Sequence, residues 1–122
     1  MKQIFFLLSL LLALPAVSAC NAQYQVTTRT NVMVPMRDGV KLATDLYLPA
    51  RDGSVAAEKY PAILTRLPYN KDGSKRFDEY YAARGYVFIA QDIRGRYASQ
   101  GVWHMLTDDG SDGVDCAAWI GL

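Results

Sequence analysis

The spacing of apolar and polar positions changes character several times along this chain. Ile4 to Leu14 is an apolar run broken only by Ser9. From Val26 to Pro35 the alternation is loose, with Val26, Val32 and Val34 set among polar residues, and it predicts a strand. Arg37-Asp38-Gly39 supplies a turn. Val40 to Pro49 alternates again, with Val40, Leu42, Leu46 and Leu48 as the apolar set and Lys41, Thr44, Asp45 and Tyr47 between them. The two segments are predicted to form a hairpin, and Ala50 to Lys59 a polar connection.

Pro61 to Arg66 is a short apolar-rich run bounded by turn residues, the pattern of a buried strand that ends abruptly. Pro68 lacks a backbone donor and biases Leu67 toward an extended conformation. The strand should stop near Arg66, which throws Tyr69 just past its C-terminal end. Lys75 to Arg84 has helical composition, with Phe77, Tyr80, Tyr81 and Arg84 on one face as its expected amphipathic stripe. Gly85 stops it. Tyr86 to Ala90 is continuously apolar, as a strand covered on both faces should be. The acidic cluster Asp108 to Asp112 opens a second helix, whose buried face is expected at Val114, Ala117, Ala118 and Leu122. Hairpin, then strand, helix, strand, helix is the order of an α/β fold with a mostly parallel sheet and right-handed crossovers. A helix in the last position is expected to feed a further strand.

The leading apolar run changes the picture of where the protein works. A short cationic start, Met1-Lys2-Gln3, precedes it, and Pro15 and Val17-Ser18-Ala19-Cys20 follow. This reads as a secretory signal, too short to span a membrane. Val-Ser-Ala-Cys resembles a bacterial lipobox, which implies lipidation of Cys20 and a lipid-anchored place in the cell envelope. Ordinary cleavage after Ala19 is the alternative, giving a periplasmic or secreted protein. The expected organisation is a leader at residues 1–19, a linker at 20–30 and one partial α/β domain at 31–122.

Charge adds little. The 122 residues hold 13 basic and 12 acidic side chains, and Lys2 lies in the leader. No basic stripe is present, so nucleic acid is not an expected partner.

Candidate chemistry is sparse. No G-x-S-x-G occurs, and Ser54, Ser74, Ser99 and Ser111 lack the required glycine two residues before. His104, the single histidine, has no evident partner and is expected in a structural or exposed role. Asp108, Asp109, Asp112 and Asp115 do not fit a calcium loop, since Gly110 and Trp119 stand at its third and twelfth positions. A solvated acidic helix start accounts for them better. Cys116 is expected to be a buried, unreactive thiol. Neither cofactor nor metal is implied. Tyr69 remains between two roles: packing at the sheet edge, or donating its phenolic hydrogen to a ligand at the strand end.

Four phrases in order, VPMRDGVKLATDLYLPA, YPAILTRLPYNK, RGYVFIAQDIRGRYASQG and DDGSDGVDCAAWI, resemble the N-terminal part of the X-Pro dipeptidyl-peptidase-like serine hydrolases, which include cocaine esterase, α-amino acid ester hydrolases and acylases. The resemblance runs from about residue 31 to 122. It implies an α/β-hydrolase fold whose nucleophile elbow, G-x-S-Y-x-G, would follow residue 122, with the catalytic Asp and His later still. It also implies that Pro68-Tyr69 carries an oxyanion donor. Asp92, Arg94 and Gly95 match a D-x-R-G turn that shapes the loop beside the site. The expectation is the N-terminal fragment of an exported serine hydrolase, inactive alone, whose parent cleaves ester or amide bonds, including X-Pro peptide bonds, through an acyl-enzyme. Its partner would be a small ester, amide or peptide substrate, with membrane contact only through Cys20. The alternative is a small non-catalytic envelope lipoprotein that binds a partner.

Overall fold

The computed structural model describes residues 23–121. Strands β1 (Gln25–Pro35) and β2 (Lys41–Arg51) pair antiparallel. Their turn is closed by the Met36 N–H on the Val40 carbonyl at 2.8 Å, with Gly39 at φ 85°. The register slips between Arg29 and Val32, where Asn31 takes φ 52° and donates its N–H to Asp45 Oδ1 at 2.8 Å. This bulge aims a backbone donor at a buried carboxylate.

A two-residue strand, β3 (Ser54–Val55), folds back on the end of β2. Asp52 and Gly53 both have positive φ, 51° and 76°, the tight hairpin geometry that Asp-Gly favours. The expected polar connection thus contains a hairpin. Then come β4 (Ala62–Leu67), a 3-10 turn at Lys71–Ser74, α1 (Lys75–Ala82), β5 (Val87–Asp92) and α2 (Asp109–Ile120). The sheet order is β1-β2-β5-β4, with β4 and β5 parallel and β5 antiparallel to β2. Phe88 to Asp92 are all buried; Phe88, Ile89 and Ala90 are apolar, as a covered strand requires, while Gln91 and Asp92 meet polar partners. β4 is the outer strand among the described residues, and each of its six residues is partly exposed.

Four expectations need correction. β1 begins at Gln25, so the linker does not run to residue 30. In β2 the expected alternation fails from Thr44 onward: Leu42 is buried and Lys41 exposed as expected, but Thr44, Asp45 and Tyr47 are buried while Leu46 and Leu48 are half-exposed. β2 lies between β1 and β5, and its polar side chains meet polar partners rather than solvent. Helix α1 turns its aromatic stripe outward, with Phe77 68% and Tyr80 50% exposed, and buries Asp78 and Ala82 instead. Ala82 is small enough to bring the helix onto Tyr47 and Phe88, and only Tyr81 among the aromatics reaches down, stacking on Phe88. Helix α2 buries Asp112 and Cys116, while Val114 is 61% exposed and Ala118 also faces out. The surface under α2 offers Arg66, Gln91 and Arg94, so a carboxylate and a thiol fit there better than valine.

Asp78 is fully buried on α1, and its Oδ1 has no hydrogen-bond partner. Ser74 Oγ lies 2.9 Å from both the Lys71 carbonyl and Asp78 Oδ2, yet carries one proton. A protonated Asp78 resolves this conflict by donating from Oδ2 to Ser74, which leaves the Ser74 proton for the Lys71 carbonyl. Burial raises the Asp78 pKa; the Ser74 hydrogen bond opposes the rise, and the charges of Asp45 and Glu79 add to it. A carboxyl whose pKa is higher folded than unfolded stabilises most below its unfolded value, and that contribution is lost as pH rises through the folded value. Asp78→Asn should therefore gain stability relative to the parent chain as pH goes from about 4, near the unfolded carboxylate value, to neutral. Urea melts at both pH values check this; an unchanged or opposite difference would refute a neutral Asp78.

Candidate active site

Because β4 and β5 run parallel, their C-terminal ends open on the same side of the sheet, where ligands collect in open α/β folds. β4 delivers Pro68 and Tyr69. β5 delivers Ile93 and the long loop to α2. Between them lies a cavity of about 540 Å³, with Arg66, Pro68 and Tyr69 on one wall, Ile93, Arg96, Trp103, Met105 and Leu106 on the other, and Asp109 at the head of α2. Tyr69 is 77% exposed. Its hydroxyl has no hydrogen-bond partner among the described residues, so it is free to donate to a ligand.

One buried carboxylate sets both walls. Asp92 Oδ1 accepts the Lys71 backbone N–H at 2.8 Å, and Oδ2 accepts that of Ala98 at 3.3 Å. The Asp92 carbonyl takes the Ser99 hydroxyl at 2.7 Å, and Ser99 Oγ in turn accepts the Ala43 N–H at 2.8 Å. The Tyr69 loop is fixed a second time by Lys71, whose ammonium is buried 3.2 Å from Asp45 Oδ1. Burial alone would lower the Lys71 pKa, but the hydrogen bonds and charges of Asp45 and, to a lesser extent, Asp72 together outweigh it and raise it. Lys71 therefore stays cationic, and its loop is held to β2.

The far wall depends on Gly95 and arginines. Gly95 has φ 68°, and a Cβ there would collide with the backbone of Val102 and Trp103. Only glycine lets the loop fold so closely on itself. Arg96 donates to the Pro68 carbonyl at 3.2 Å and lies 4.9 Å from the Trp103 ring centre, linking the two walls. Arg94 makes a fork to Asp112, at 2.9 and 2.6 Å, and reaches Asp38 at 2.7 Å. Asp112 and Asp38 raise the Arg94 pKa further, chiefly through these hydrogen bonds. Arg94 thus ties α2 to the β1–β2 turn, a tie repeated by Arg37 and Asp115 at 2.6 Å. Non-glycine residues with positive φ sit in both loops: Asn70 at 23°, Tyr97 at 47° and Leu106 at 61°. Such strain persists where surrounding contacts over-determine the backbone, and it concentrates at functional sites.

Residues 38–121 match the X-Pro dipeptidyl-peptidase (S15) family. This chain belongs to that family. Cocaine esterase of Rhodococcus sp. (strain MB1 Bresler) is 41% identical over 102 residues, covering 75% of this chain and 16% of the esterase. Among solved structures, an α-amino acid ester hydrolase superposes with a TM-score of 0.65 at 30% identity, over 93% of this chain and 21% of that one. An aminopeptidase from a marine sediment Thaumarchaeota archaeon gives 0.63 at 26% identity, over 88% and 21%. The fold is the N-terminal α/β portion of these hydrolases. The chain spans between 16% and 21% of the length of these relatives.

Of the site residues expected in this X-Pro dipeptidyl-peptidase family chain, Pro68 and Tyr69 line the cavity, while Asp92, Arg94 and Gly95 hold its loops. Cys20 lies outside the described residues. His104 has a largely exposed side chain, with Nδ1 3.7 Å from Asp108. The acidic helix start is less solvated than expected: Asp109 and Asp112 face Arg66 at 3.8 Å, and Asp112 and Asp115 are held by Arg94 and Arg37. These carboxylates serve as counter-charges to the arginines. Cys116 is buried, accepts from Gln91 Nε2 at 3.3 Å, and has a thiol pKa raised by burial, with Arg66 and the Gln91 hydrogen bond opposing. The sequence reading missed Arg66, Arg96, Trp103 and the buried Lys71. A lysine two places after a strand-end tyrosine was the available signal, but nothing local says that it turns inward.

Arg94→Ala would leave Asp112 buried with Arg66 as its remaining counter-ion at 3.8 Å. Breaking a buried pair on one side costs about 3–5 kcal/mol. Guanidinium melts should show a loss of that order; a loss near zero would mean that the fork is not a structural tie.

Proposed function

We propose that this chain forms the oxyanion-binding side of a serine hydrolase active site. The hydrolase transfers the acyl group of an ester or amide to a serine and then to water. The observation that carries this reading is the placement of Tyr69: an exposed phenol with an unused hydroxyl, on the rim of the strand-end cavity, in a loop fixed twice from below. The loop after the third strand is where α/β hydrolases place one oxyanion donor. Relatives that are esterases, an amino acid ester hydrolase and an aminopeptidase support the reaction class.

Tyr69 Oη donates to the carbonyl oxygen as it becomes tetrahedral and negatively charged, where a preorganised donor is worth more than in the ground state. The loop's fixed position means that little reorganisation is needed as charge develops. No G-x-S-x-G occurs in these 122 residues, so the nucleophile and its base must come from other polypeptide, and this segment alone does not hydrolyse esters. The leader and Val17-Ser18-Ala19-Cys20 support export with a lipid on Cys20.

Tyr69→Phe in the intact hydrolase should lower kcat by about 10²–10³ with KM little changed, the loss typical of one oxyanion donor. Steady-state hydrolysis of a p-nitrophenyl ester measures it. Full activity in Tyr69→Phe would remove the oxyanion role.

A further inference from the structure

Five of the eight tyrosines gather at the end of the sheet opposite the cavity: Tyr24, Tyr60, Tyr80, Tyr81 and Tyr86. They form two edge-on groups. The Tyr24 and Tyr60 rings lie 5.4 Å apart; Tyr81 lies 5.5 Å from Tyr80 and 6.1 Å from Tyr86. Gly85 joins the groups, because a Cβ there would touch both Tyr24 and Tyr60. Arg51 and Arg84 lie over the Tyr24 and Tyr80 rings, at 4.7 and 3.5 Å. Tyr80, Tyr81 and Tyr86 remain 50%, 39% and 38% exposed.

The chain enters the fold at this same place. The backbone N–H groups of Gln23 and Tyr24 both donate to the Ala83 carbonyl, at 2.8 and 3.1 Å. Cys20 lies three residues before Gln23. Three residues reach at most about 10 Å when fully extended. A lipid on Cys20 therefore brings the bilayer surface up to the tyrosine end, whatever path those residues take.

We propose that this tyrosine-rich end rests on the headgroup layer of the membrane that holds the Cys20 lipid, so that the active-site cavity points away from it. Tyrosine suits that layer, with an apolar ring and a hydroxyl that reaches water and headgroups. Arginine stems cover apolar surface while their charge meets phosphate. Arg51, Lys59 and Arg84 balance Asp52, Glu58 and Glu79 at this end, and Glu58 is occupied by the Tyr60 hydroxyl at 2.7 Å, so no excess of negative charge repels an anionic headgroup layer. From Val87 at the tyrosine end to Asp92 at the cavity, β5 rises roughly 17 Å at about 3.3 Å per residue. The anchor thus holds the catalytic end clear of the lipid and open to dissolved substrates. This orientation rests on the Cys20 anchor proposed above, and it adds a contact surface and a direction to it.

The test uses the full chain, made with its own leader in a bacterial host and reconstituted in phosphatidylethanolamine–phosphatidylglycerol vesicles. An environment-sensitive thiol dye is placed at Tyr80→Cys or, separately, at Leu106→Cys on the cavity wall; Cys116 is fully buried and does not compete. Nitroxide lipids labelled at the headgroup should quench the dye at position 80 several-fold more strongly than at position 106. Equal quenching, or the reverse order, overturns the proposal. Mass spectrometry of the N-terminal peptide separates the two ways of failing. An acylated Cys20 with no quenching at position 80 leaves the anchor standing and overturns the orientation. An unmodified Cys20 on a protein that stays in the aqueous phase removes the anchor, and the orientation with it.

Discussion

The geometry of the cavity depends on the carboxylate of Asp92, buried where β5 ends. Two loops that share no sequence meet there, each giving one backbone N–H: Lys71 from the Tyr69 loop and Ala98 from the opposite wall. A neutral side chain of similar size could accept fewer such bonds, and an apolar one would leave two buried donors unpaired, each costing about 1–3 kcal/mol. The Lys71–Asp45 pair and the Arg94 fork extend this arrangement outward, to β2 on one side and to α2 and the β1–β2 turn on the other. What looks from outside like a flexible polar rim is therefore a frame of buried charges, each with a counter-charge or a set of donors.

That frame bears on the role proposed for the strand-end tyrosine. Its ring lies outside the core and its hydroxyl is unused, yet the backbone carrying it is held from below by Asp92 and Asp45. An exposed donor on a fixed base is what transition-state stabilisation requires: the group must already be in place when charge appears. The cavity wall facing it is mainly apolar.

The chain order of strands and helices was legible in the sequence because it follows from period and punctuation. The apolar run from Tyr86 to Ala90 marked a strand, which forms from Val87 and leaves Tyr86 outside it and partly exposed, and Pro68 ended the preceding one. Inward and outward facing was harder to read wherever polar residues turn in to meet each other. Asp45, Asp78 and Asp112 are buried on elements whose apolar residues suggested a different face: Asp45 and Asp112 answer partners distant in sequence, Lys71 and Arg94, while Asp78 makes a local link to Ser74 that depends on protonation. Periodicity counts apolar residues, so it placed Phe77 and Val114 inward, where the sheet surface has no room or is polar. The Asp52-Gly53 hairpin was a different case: its signal was present, and the two-residue strand after it was too short to register. At the site, Tyr69 could be located from Pro68 and the strand end, whereas the walls formed by Arg96 and Trp103 come from a loop whose course is set by Gly95 and no local pattern.

The most direct test of the central claim is a crystal structure of the intact hydrolase with a phosphonate bound covalently to its serine, a tetrahedral stand-in for the reacting carbonyl. The account predicts the Tyr69 hydroxyl oxygen about 2.5–3.0 Å from the phosphonyl oxygen, within hydrogen-bond range, with Lys71 and Ala98 still donating to Asp92. A phosphonyl oxygen held only by other donors, with the Tyr69 ring turned away, would contradict it.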